Sequence, residues 1–266
     1  MAGPVDAIAP RAEELFRSAG GALPGVAEEL PAFVRLLRAQ PRLRGALTDI
    51  AAGTPAKREL LRSLLEQRVD PRTLEAAGLL ADEMLSQQEL LRAAADLAVR
   101  AILAAADADG SLEEVEDELF RFARVIDSTP GLRAALTDPT LPDAEKVALV
   151  RDLLEGKANA HTIALATFVL EQPDERDPGQ ALADLADLAA TRRGRVVVEA
   201  RTAIPIDVQR RARLAQALSR TVGRQVDLEV VIDPEVVGGV VARIGDELID
   251  GTVKRKLELA LEELTT

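Results

Sequence analysis

Residues 33–65 and residues 122–154 of this chain align without a gap at an offset of 89, and 14 of the 33 positions are identical. The matches include Phe33 with Phe122, Pro41 with Pro130, Leu43-Arg44 with Leu132-Arg133, Leu47-Thr48-Asp49 with Leu136-Thr137-Asp138, and Lys57 with Lys146. A composition this rich in Leu and Ala gives about three by chance, so the segment is a duplicated unit. Its periodicity is helical. Val26, Leu30, Phe33 and Leu37 recur three and four apart, as do Leu112, Val115, Leu119, Phe122 and Ile126, so each helix buries one face. Pro41 and Pro130 stand where a first helical turn tolerates a missing N–H, and Thr54-Pro55 and Asp143 are cap-type residues at equivalent places. The same spacing predicts helices over 71–87, 89–106, 158–171 and 178–192, separated by Gly or Pro. The expectation is an all-α region of about ten short helices with short connections.

After Arg193-Gly194 the period changes from helical to alternating. Val196, Val198 and Ala200 face one way and Val197, Glu199 and Arg201 the other; Val226, Leu228, Val230 and Ile232 alternate in the same manner. Between these strands, 207–222 reads as a helix ended by Gly223. Gly238-Gly239 supplies two positions without a Cβ, where a strand can bulge or approach another backbone. A hairpin follows, with strands 240–244 and 247–249 around a Gly245-Asp246 turn. Thr252 then caps a closing helix with Val253, Leu257, Ala260, Leu261 and Leu264 on its apolar face. The fold class expected is mainly α: a duplicated N-terminal helical bundle followed by a small C-terminal mixed α/β domain.

The residues Gly238, Gly239, Gly245, Asp246, Asp250, Thr252, Lys256 and Leu257, in this order and spacing, resemble the C-terminal signature of the delta subunit of F-type ATP synthases, the bacterial relative of the oligomycin sensitivity-conferring protein. Thr252 stands where that family usually has Ser, and Thr keeps the capping oxygen. A second stretch, 114–122 (Glu-Val-Glu-Asp-Glu-Leu-Phe-Arg-Phe), resembles the long actinobacterial branch. On this resemblance the chain divides into an extra copy of the helical bundle at 1–90, a bundle matching the usual delta N-terminal domain at 91–193, and the C-terminal α/β domain at 194–266. No membrane span precedes the extra copy, so the stalk proteins are expected on separate chains.

The bulk composition narrows the function classes. The formal charge is −12, and residues 1–190 carry all of it, with 20 Lys/Arg against 33 Asp/Glu. With no Trp, no Tyr and five Phe there is neither a basic patch for phosphates nor an aromatic platform for bases, which argues against nucleic-acid partners. No Cys and a single His preclude a disulfide framework and a Cys/His metal centre. The longest apolar run, 163–170, falls well short of the roughly 20 residues of a membrane helix, so membrane association is expected only indirectly.

Candidate chemistry is sparse. Residues 105–116 imitate a calcium loop with Asp107 and Asp109 as ligands, Gly110 at the sharp turn and Glu116 at the twelfth position, but Ala105 stands at the first ligand position. The alternative is a helix end at Asp109-Gly110 followed by a Ser111-Leu112-Glu113-Glu114 capping box. His161 has no oriented nucleophile, and Gly156-Lys157 lacks the rest of a phosphate-binding loop. Arg192, Arg193 and Arg195 read as a solvated linker or as partners for acidic groups.

The resemblance therefore implies a non-catalytic stator subunit without cofactors, peripheral at the cytoplasmic face of the cell membrane. Its implied partners are the N-terminal segments of the alpha subunits, received in a groove of the bundle, and the b-type stalk subunits, held by the C-terminal domain. A rival reading is an acidic helical adaptor or calcium-responsive binding protein built on the same duplication.

Overall fold

The computed structural model describes residues 4–172, 177–194, 196–222, 226–233, 236, 240–244 and 247–250. The chain forms two compact units, 1–190 and 191–266.

The first unit is all-helical. Helices α1 (Pro4–Ala19), α2 (Leu23–Ala39), α3 (Pro41–Thr48), α4 (Thr54–Leu65) and α5 (Pro71–Ala81) lead into the long α6 (Gln87–Ala108). Then α7 (Leu112–Ser128), α8 (Pro130–Thr137), α9 (Asp143–Leu154) and α10 (Ala160–Leu170) repeat α2 to α5, with every start and every end displaced by the same 89 residues. Helix α11 (Pro178–Arg193) closes the unit.

The duplication extends to individual bonds. The Glu29 carboxylate on α2 accepts from the Asp70 N–H at 2.9 Å and the Thr73 hydroxyl at 2.6 Å, tying α2 to the start of α5. Glu118 on α7 does the same with the Asn159 N–H at 2.9 Å and the Thr162 hydroxyl at 2.5 Å. Asp70 and Asn159 cap α5 and α10 through the N–H groups of Arg72 and His161. Pro41 and Pro130 each sit in the first turn, as expected. Thr54 and Asp143 are the first helical residues of α4 and α9, preceded by Gly53 and Pro142 at the cap positions.

Helix α6 belongs to both copies. Its last residue lies 89 positions after the end of α1, and its residues 89–104 correspond at the same offset to α11, so it closes one bundle and opens the next. Its C-terminal half is buried all round, through the run Ala101-Ile102-Leu103-Ala104-Ala105-Ala106, because the helix lies against α1, α2, α3 and α5 on one side and α7 and α10 on the other, while Gln88 and Arg92 of its N-terminal half stay exposed. Its many alanines let neighbouring backbones come close, while Leu90, Leu97 and Ile102 supply apolar area worth about 1.5–3 kcal/mol each.

Two local expectations need correction. The helix expected over 71–87 stops at Ala81, because Ser86 and Glu89 form a reciprocal capping box that starts α6. Conversely, Ser111 makes no side-chain cap for α7: its N–H and its hydroxyl both donate to the Asp109 carboxylate, at 3.0 and 2.6 Å. Gly110, at φ 79°, takes the left-handed conformation that ends α6.

The second unit contains β1 (Val196–Thr202), α12 (Val208–Val222), β2 (Val226–Ile232), β3 (Val240–Ile244) and β4 (Glu247–Asp250), with sheet order β2-β1-β3-β4. Strands β1 and β2 are parallel with α12 as the crossover, β1 and β3 antiparallel, and β3 and β4 antiparallel with Ile244 opposite Glu247. The expected alternation is observed: Val198, Ala200, Val226 and Leu228 are buried with Leu218 of α12 and Ala242 of β3. The Arg211 guanidinium donates to the Leu228 carbonyl at 2.7 Å, satisfying an acceptor on the edge strand β2.

Candidate partner-binding surfaces

The two copies end differently. As the last helix of the first copy, α6 buries Leu90, Leu97, Ala98 and Ile102, whereas α11 has Gly179, Ala186, Asp187 and Thr191 at the equivalent positions. Only Pro178, Gly179, Leu182, Ala186 and Ala189 of α11 are buried. It makes no close backbone packing comparable to that of α6 against its own neighbours, among the described residues.

A groove of about 410 Å³ is left where α11 stands off. Its walls are one stripe of α6 (Gln88, Leu91, Arg92, Ala95, Asp96, Val99), one stripe of α11 (Ala181, Asp184, Leu185, Leu188) and the end of α10 (Phe168, Val169, with Gln172), with Arg38 of α2 at one end. Leu91, Ala95, Val169, Leu185 and Leu188 are partly buried apolar residues on this surface. The polar end is fixed by the Arg38 Nη2 donating to Gln172 Oε1 at 2.6 Å, and the Arg35–Glu171 ion pair at 2.9 Å beside it also joins the two copies. Asp96 is bound to Arg100, which also reaches Glu13 at 3.2 Å. Burial pulls the Arg100 pKa down, but the Asp96 and Glu13 carboxylates outweigh it and hold the pKa above its ordinary value. An apolar floor between helical walls, with charges at the rim, suits an amphipathic helix laid lengthwise. Periodicity marks each stripe separately, but only the tertiary arrangement sets them face to face.

The other candidates are structural. Asp109 is held by Ser111 and, through Oδ2, by His161 Nε2 at 2.8 Å. Bonding to Ser111 and then to His161 keeps its pKa below the usual carboxylate range. Among the described residues no three His, Cys, Asp or Glu are grouped to hold a metal, so Asp107, Asp109 and Glu116 do not assemble the calcium loop. Gly156, at φ 69°, ends α9, and Lys157 Nζ donates to the Leu153 carbonyl at 3.1 Å. Arg192 and Arg193 lie in the last turn of α11, so the helix runs two residues into the expected linker; Arg195 lies outside the described residues. Of the C-terminal signature, Asp250 ends β4 opposite Val241. Gly238, Gly239, Gly245, Asp246, Thr252, Lys256 and Leu257, with the closing helix expected after Thr252, lie outside the described residues. No helix among the described residues is long and apolar enough to cross a membrane.

The family model of the ATP synthase delta (OSCP) subunit matches residues 99–264, from inside α6 through the second copy and the sheet unit. The chain belongs to this family. Its relatives include the ATP synthase subunit delta of Frankia alni, 44% identical over 240 residues (90% of this chain and 87% of the relative). That of Streptomyces avermitilis is 40% identical over 242 residues (91% and 89%), and that of Beutenbergia cavernae 38% over 259 residues (97% and 96%). Alignments of this length extend well ahead of residue 99, so the likeness takes in the first helical copy as well. The chain is thus a non-catalytic subunit of the delta (OSCP) type, part of a membrane-associated complex.

Proposed function

We propose that the chain is a peripheral-stalk brace of a proton-translocating ATP synthase, at the cytoplasmic face of the membrane, holding the catalytic headpiece still against the torque of the central shaft. On this reading residues 1–90 are the added bundle copy, 91–193 the bundle that takes the N-terminal segments of the alpha subunits, and 194–266 the domain that holds the b-type stalk subunits. The C-terminal signature residues belong to that last domain.

The observation that carries the reading is the groove between α6, α10 and α11, whose α10 and α11 walls lie within the residues that the family model matches. A brace must not shear between its parts, and α6 supports this requirement: one continuous helix of 22 residues, about 33 Å, packs against helices of both copies. An alpha-type amphipathic helix with a few anchors in the groove reaches nanomolar affinity, about −12 kcal/mol, within the range of an ordinary interface.

The test uses a synthetic peptide of the alpha N-terminus titrated onto the full chain. Binding at micromolar concentration or tighter is expected, weakened at least tenfold by Leu188→Glu, with the melting temperature unchanged because Leu188 is only partly buried. Absence of binding by the unmodified chain defeats the assignment of this groove. Failure of the full chain to recouple membranes stripped of their own subunit defeats the brace itself.

A further inference from the structure

A second hollow, about 460 Å³, opens between the loop that joins α3 to α4 and the loop that joins α5 to α6. Lys57 lines it with its side chain almost wholly buried, at 5% exposure, yet the ammonium has neither an ion-pair partner nor a hydrogen-bond acceptor among the described residues. The stem is buried while the ammonium reaches the solvent of the hollow, so the charge is open to a carboxylate brought from outside the chain. The acids in the same hollow are already engaged: Asp82 with Arg58 at 2.7 Å and with Arg11, and Glu83 with Arg11 at 3.5 Å.

The second copy supplies an internal control. Lys146, the equivalent lysine, has the Asp143 carboxylate 4.0 Å away, one turn earlier on α9. At the position of Asp143 the first copy has Thr54, a neutral residue that also lines the hollow. The counter-charge supplied from within the chain in one copy is missing from the other. The rim of the hollow is apolar in an unusual way: Ile50 and Met84 are 83% and 77% exposed, the two most exposed large hydrophobic residues among those described. An inorganic anion has no use for such a rim, whereas a peptide that places an aliphatic side chain beside a carboxylate uses both features.

We infer that this hollow is a docking site for a carboxylate-bearing, aliphatic peptide segment of a neighbouring ATP synthase subunit, with the carboxylate on Lys57 and the aliphatic side chain between Ile50 and Met84. It is separate from the groove at α11, and it rests on the proposed function only in assuming that the chain works inside that complex.

Zero-length carbodiimide coupling of the intact ATP synthase, followed by peptide mass spectrometry, tests it. The expected product joins Lys57 by an amide bond to an Asp, Glu or C-terminal carboxylate of another subunit, next to an aliphatic residue. Ile50→Asp is expected to cut its yield at least fivefold, while Lys57→Met, which keeps the buried stem, abolishes it without lowering the melting temperature. Lys57 recovered unlinked, or linked only to acids of its own chain, overturns the inference. So does acetate protecting Lys57 in the free chain as fully as assembly does, since that marks a small-anion site. A chain that never enters the complex defeats the proposed function instead, so the two failures are told apart.

Discussion

The two helical copies have the same elements at the same spacing but different last helices. In the first, α6 brings Leu90, Leu97 and Ile102 into the core; in the second, the equivalent positions of α11 carry Gly179, Ala186 and Thr191, and a groove remains. Duplication preserves the bonds that build the bundle, such as the Glu29 and Glu118 clamps, while divergence of one apolar stripe decides whether the bundle is sealed or open to a partner. Side-chain volume on a single helix face is enough to make that difference.

The largest effect is expected at the shared helix. Leu97→Ala removes a fully buried side chain, at a cost of about 2–5 kcal/mol, and because α6 serves both bundles urea should unfold the whole helical unit in one shifted transition. Two separate transitions, with only the first copy weakened, would break the picture of one helix with two roles. Next, Glu29→Ala and Glu118→Ala should each cost about 1–3 kcal/mol, since Thr73 and Thr162 are fully buried and each loses its acceptor. Equal losses sharpen the equivalence of the copies; a large inequality shows that the matched bonds differ in worth.

A smaller, local difference is expected in amide hydrogen exchange, where α11 should exchange well before α6 because fewer of its residues are buried. Equal protection would mean that the groove is closed in solution. The smallest effect concerns acid. Bonding to Arg58 and then to Arg11 outweighs burial and holds the Asp82 pKa below 3.8. The stability this provides is therefore complete above that ordinary value and is lost as the pH falls from about 3.8 toward the lower folded value. Melting curves of Asp82→Asn should lack that component, a difference of up to about 1 kcal/mol for a pair whose arginines are half exposed.

Much of the fold was legible. The 33-residue match extends to the bounds of four helices in each copy, because the same apolar spacing and the same Pro at the first turn recur. The strands were legible from alternation, which follows from a sheet with one face buried. Helix α1 was not singled out, although Ile8, Ala12, Leu15 and Phe16 carry the signal. The end of α5 was overrun because 82–85 keep apolar residues at helical spacing, and the Ser86–Glu89 box outweighs them. The groove was not legible, since neither stripe alone reports what it faces.

What the sequence determined by itself was local and periodic: which segments are helices or strands, that one helical unit occurs twice, and which family the spacing near the end resembles. Tertiary structure decided that α6 is shared, that α11 stands off, and that the stripes of α6 and α11 face each other across a groove. These depend on distances between residues far apart in the chain, which pairwise packing and charge settle and local pattern does not encode.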